Sequence, residues 1–117
     1  MMKLNETVEM MNSEDYKERF LAEYMQLKIR ADGLFKMLDK YKEGTLDFTP
    51  SCSYDLLNAQ LKSMDLYASY LEDRAEVEEI DLNAEIAKMY FYKREKIRVD
   101  VNLPLFFILL IFGLCFY

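Results

Sequence analysis

Histidine and tryptophan are absent from the 117 residues, glycine occurs three times, and proline and cysteine twice each. Without histidine, the chain lacks the commonest general base and the commonest neutral metal ligand. So few glycines and prolines encode few turns, which favours long helices over a many-stranded sheet. Cys52 and Cys115 stand far apart in different surroundings. With no CxxC or Cys/His cluster, neither a zinc site nor a disulfide framework is expected, and a reducing compartment is the default. No Ser-His-Asp set, Walker-type loop or GxGxxG run exists. The expectation is therefore a non-enzyme with no catalytic residue, no metal and no cofactor. Met1 to Asn12 hold no apolar run of the kind a secretory leader needs.

What is present is apolar and acidic. Hydrophobic residues make up 52% of the chain and charged residues 31%, a balance that excludes a disordered acidic tail. One small domain is the size expected. The net charge of −6 is unevenly spread: residues 13–82 carry nine basic and sixteen acidic side chains. Such a segment is a poor partner for duplex nucleic acid, which needs a basic footprint. Lys93, Arg94, Lys96 and Arg98 form a short basic cluster against Glu95 alone.

Two stripes dominate the pattern. Phe20, Tyr24, Leu27, Ala31, Leu34, Leu38 and Tyr41 step by threes and fours, as one face of a helix does. Asn12 to Asp15 offer capping oxygens before this helix, Lys40 and Lys42 suit its C-terminal dipole, and Gly44 is placed to end it. Leu57, Gln60, Met64, Tyr67, Leu71 and Arg74 form the second stripe, close to an a/d seam, with Ser51 or Ser53 as its cap. Leu61, Ala68 and Ala75 widen its apolar face. The connection through Thr49-Pro50-Ser51 is short, so the two helices are antiparallel neighbours. Leu46 and Phe48 are expected to fold back and plug the open end.

The fold expected is all-α: an antiparallel hairpin of about 13–43 and 53–79, a short third helix over 83–98, and an apolar C-terminal segment. The organisation follows: a mobile N-terminus at 1–12, a hairpin domain at 13–82, an amphipathic and basic connector at 83–100, and the apolar segment at 101–117. Leu103 to Tyr117 contains no charge. As a helix this run would extend about 22 Å, short of the roughly 30 Å of a bilayer core. A tail anchor with its basic side cytoplasmic, a buried core segment, and a shifted reading frame all fit it.

Gln60 and Arg74 stand where an ordinary seam is apolar. Two readings are open. They set register and form an ion pair, Arg74 with Asp15, Glu18 or Glu23. Alternatively Arg30, Gln60, Tyr67, Tyr70 and Arg74 line a ligand pocket where hairpins meet. A hairpin this small buries little surface, so a homo-oligomer is expected.

The pattern Leu57-x-x-Gln60-x-x-x-Met64-x-x-Tyr67-x-x-x-Leu71-x-x-Arg74, after a charged helix with Leu27, Leu34 and Leu38, resembles the small helical-hairpin proteins of crAss-like and other tailed gut phages. The likeness runs from Asp15 to Leu82 and leaves the tail outside. More distantly, the hairpin is similar to phage anti-CBASS and anti-Thoeris sponge proteins, helical oligomers that sequester cyclic nucleotide or cyclic ADP-ribose signals without cleaving them. That resemblance implies a phage or prophage accessory protein that binds a cyclic nucleotide in the host bacterial cytoplasm. Tyr67, Tyr70, Arg30 and Arg74 would supply stacking and cationic donors. Membrane contact through 103–117 would tether it to the inner membrane. A membrane-tethered module for protein–protein interaction is the alternative.

Overall fold

A computed structural model describes residues 2–101, and among them there are four α-helices and no strand. A 3-10 turn, Leu4–Thr7, leads into α1, Val8–Met11. Then come α2, Tyr16–Glu43, α3, Tyr54–Val77, and α4, Leu82–Val101. The chain divides into two compact units, the first Met1–Leu82 and the second from Asn83 onward. The third long helix thus exceeds the span expected for it. The apolar run expected as a tail anchor lies outside the described residues, as do the side chains of Lys93, Lys96 and Arg98. Among the described residues no helix is long and apolar enough to cross a membrane.

Local chemistry sets the ends of the hairpin. Asp15 caps α2, its carboxylate accepting from the Lys17 N–H at 3.0 Å. At the other end Gly44 takes the left-handed conformation, φ 75°, and its N–H bonds back to Lys40 and Tyr41. Of the two serines expected as caps, Ser53 caps α3, accepting from the Leu56 N–H at 3.2 Å. α3 closes with a similar left-handed device, but the residue at φ 57° is Glu79. The Ile80 N–H then reaches the Ala75 carbonyl at 2.8 Å, and Ile80 packs on the core.

α2 and α3 pack against each other in antiparallel sense, as the stripes predict. One core cluster holds Phe20, Leu71 and Ala75, flanked by Tyr24, Leu27, Ile80 and Leu82. The other holds Ala31, Leu38 and Leu61, flanked by Leu34, Met37, Tyr54, Leu57 and Met64. The α3 seam is therefore rotated from the expected one. Its centre is Leu57, Leu61, Met64, Ala68, Leu71 and Ala75, whereas Gln60, Tyr67 and Arg74 are exposed. The reason is steric and electrostatic. Small Ala68 and Ala75 let the helices approach, and a guanidinium has no cause to leave water without a buried partner.

Two further expectations differ from the structure. The N-terminal turns are not free: they pack on α2, covering a second face built of Leu21, Ala22 and Met25. Thr7 is fully buried there, its hydroxyl donating to the Leu4 carbonyl and accepting from Gln26 Nε2, both at satisfactory distances of 2.7 and 2.8 Å. At the loop end, Phe48 is exposed and Leu46 is half-buried. The Tyr41 and Tyr54 rings, 5.7 Å apart, occupy the end of the hairpin instead.

Candidate functional site

The outer side of α3 carries the candidate site. Ser63, Leu66, Tyr67, Tyr70, Leu71 and Arg74 line an open groove of about 380 Å³. Steps of three and four along one helix bring these side chains to one face. Tyr67 and Tyr70 are 46% and 61% exposed. Three of the five residues expected to bind ligand, Tyr67, Tyr70 and Arg74, are thus brought together. Arg30 and Gln60 are exposed but do not line this groove.

Arg74 is held from the α2 side. Its Nη2 donates to the Tyr16 hydroxyl at 2.7 Å, and that hydroxyl donates to Glu78 at 2.9 Å. The Phe20 ring lies beneath the guanidinium, 5.1 Å from its centroid to Cζ. The ion pair expected with Asp15, Glu18 or Glu23 is replaced by this relay to Glu78 through Tyr16. The hydrogen bond to Tyr16 is the largest influence on Arg74, and it pushes the guanidinium pKa further above its ordinary value. Arg74 is therefore a fixed cation, pre-set in position at the edge of the hairpin.

Two tyrosine–carboxylate pairs pin the helices beside it. The Tyr67 hydroxyl donates to Glu23 across the hairpin. The Tyr24 hydroxyl donates to Glu72 at 2.8 Å, in the reverse direction. The Tyr67 phenol is pushed up, first by its hydrogen bond to Glu23 and then by burial. Burial, and then Glu72, push the Tyr24 phenol up to about 12. A tyrosine tethered at its hydroxyl keeps its ring face at a set angle, so Tyr67 presents a stable stacking surface. Tyr70 has one uncommitted ring at the mouth of the groove.

Of the supporting residues, Phe20 stood in the first stripe and Glu23 among the acidic partners expected for Arg74, whereas Tyr16 and Glu78 escaped the sequence reading. Antiparallel pairing carries a signal for them, since Tyr16 near the start of α2 must face the end of α3. A rotation of the seam by one residue decides which side chains meet, and the stripe alone does not fix that rotation.

A second groove of about 280 Å³ involves Lys28, Asp32, Phe35 and Asp65. Asp32 there is paired with Lys36 at 2.9 Å. Its carboxylates make it the poorer place for an anion.

Compared with known protein families, residues 14–77 match the family model described as Sequestin, just over half of the chain. No curated protein and no solved structure matches it.

Proposed function

Since the chain belongs to the Sequestin family, whose name denotes sequestration, we propose that it binds and holds a nucleotide second messenger without transforming it. The observation that carries this reading is the groove in which two exposed tyrosine rings line up along α3 with a pre-positioned arginine at the end of the row. A sequestering site requires recognition alone. Base–aromatic stacking contributes about 1–3 kcal/mol per base, and arginine matches phosphate oxygens in a fork.

The surroundings narrow the ligand class. Glu23 and Glu78 lie close enough to Arg74 to act on its charge, and Asp73 lies beside it in a neighbouring groove. A ligand with several charges on terminal phosphates would be repelled by them. A cyclic phosphodiester carries one charge per phosphate and offers its bases for stacking. The reading is thus of a cyclic nucleotide held by Tyr67, Tyr70 and Arg74. In the tailed-phage setting the resemblance implies, such binding would lower the free concentration of a host immune signal.

Isothermal titration with cyclic mononucleotides and cyclic dinucleotides tests the reading. A saturable heat is expected for at least one cyclic ligand, lost in Arg74→Met, with weaker binding of the linear phosphomonoester. Flat titrations across the series would remove it. The uncovered apolar side chains Leu66 and Val77 favour a second reading, a protein-interaction module, which predicts that flat result.

A further inference from the structure

Helix α3 carries a second stripe that α2 does not cover. Ala59, Ser63, Leu66, Tyr70, Asp73 and Val77 repeat in steps of three and four, the spacing of an a/d seam. All six are exposed, Leu66 at 55% and Val77 at 83%. At about 100° per residue, this line points away from the buried line through Leu61, Ala68 and Ala75. One exposed apolar side chain requires no account, whereas a line running most of a helix does.

The charges in and beside the seam say what covers it. In a parallel pair of α3 helices, Asp73 would face Asp73 of the second copy, like charge against like. An antiparallel pair with residue 66 facing residue 70 is complementary at every layer. Leu66 meets Tyr70, Ala59 meets Val77, and the Ser63 hydroxyl, turned away from the Ala59 carbonyl it donates to on the free chain, donates to the Asp73 carboxylate. The same register sets Lys62 beside Glu76 of the second copy, and two-fold symmetry makes this pair twice. Both residues are exposed on the free chain.

That register also acts on the groove. Gln60 and Arg74 of one chain are fourteen residues apart, about 21 Å along the helix, too far to share a small ligand. In the antiparallel pair, Gln60 of the second copy lies beside Arg74, and the two Tyr67 side chains flank the axis. We propose that the chain forms an antiparallel two-fold dimer through the uncovered seam of α3, in which Gln60 of the second copy completes each Tyr67–Tyr70–Arg74 groove. The dimer stands on the seam alone, while the completion of the groove rests on the sequestering function proposed above.

Charge reversal in the full chain tests the register. Lys62→Glu sets carboxylate against carboxylate in the self-pair, and Glu76→Lys sets ammonium against ammonium. Mixed in equal amounts, the two variants restore opposite charges at both contacts. Sedimentation velocity should show a wild-type dimer, self-association weakened about tenfold or more in each variant, and recovery in the mixture. A monomeric wild type overturns the proposal. So do variants that associate like wild type, as assembly through the C-terminal run would give, and so does a mixture no tighter than its parts. Failure of the ligand reading looks different: an intact dimer that gives no heat with any cyclic nucleotide overturns the completed groove and leaves the seam standing.

Discussion

At the scale of single residues, the account turns on which side chains are spent on the fold and which are left for a ligand. Tyr70 is exposed and carries no hydrogen bond of its own among the described contacts. Tyr70→Ala should therefore leave the thermal stability of the monomeric chain, read at high dilution, within about 0.5 kcal/mol of wild type. The same substitution should weaken cyclic-nucleotide binding by about tenfold, the loss of one stacked ring. Paired melting and titration experiments check both halves. Tyr24 is the opposite case, a ring spent on the fold. Its folded pKa, pushed up to about 12, lies above the ordinary value near 10. Its contribution is then fully present below pH 10 and is lost as pH rises through 12. Alkaline denaturation followed by circular dichroism should show stability falling across that window, and Tyr24→Phe should remove part of the fall. Spacing along α3 brings Tyr67, Tyr70 and Arg74 to one groove, while Arg30 and Gln60, read together with them, do not line it on the single chain, because a stripe gives a face and no distance along the helix.

At the scale of elements, helix ends and helix faces were legible to different degrees. The all-α class, the antiparallel hairpin and the Gly44 stop follow from periodicity and turn chemistry, and the structure has all three. The rotation of α3 did not follow. Both 60-67-74 and 61-68-75 continue the same apolar row, and only packing against α2 selects the one with small residues at its centre. The second buried face of α2 was hidden because the N-terminal turns that cover it bury Met2 and the polar Thr7, while the apolar Leu4 and Val8 stay exposed. Gln26 and Thr7 bury their polar groups by bonding to each other, which composition does not reveal. Two predictions belong here. Glu79 adopts a left-handed conformation that suits glycine, so Glu79→Gly should raise stability by up to about 1 kcal/mol, read from chemical denaturation. Leu71 is nearly fully buried between the helices, so Leu71→Ala should cost about 2–5 kcal/mol in the same experiment.

At the scale of the whole molecule, the hairpin is a platform with one face covered and one open. α2 covers the inner line of α3 and anchors Tyr67 and Arg74 by their tips. The outer line, with Leu66, Tyr70 and Val77, is exposed on the single chain and is the seam proposed to meet a second copy. That division explains why the polar members of the stripe looked like core residues from sequence and stand at a rim in the structure. A rim fed by anchored side chains suits recognition of a small ligand. The central claim is that the chain holds a cyclic nucleotide and returns it unchanged. The most direct measurement is capture and release: saturate the protein with the cyclic nucleotide, remove the free ligand, unfold the protein by heat, and identify what is freed by mass spectrometry. The account predicts the intact cyclic nucleotide, in fixed proportion to protein and absent from the Arg74→Met variant. A linear or hydrolysed product, or no retained ligand at all, would contradict it.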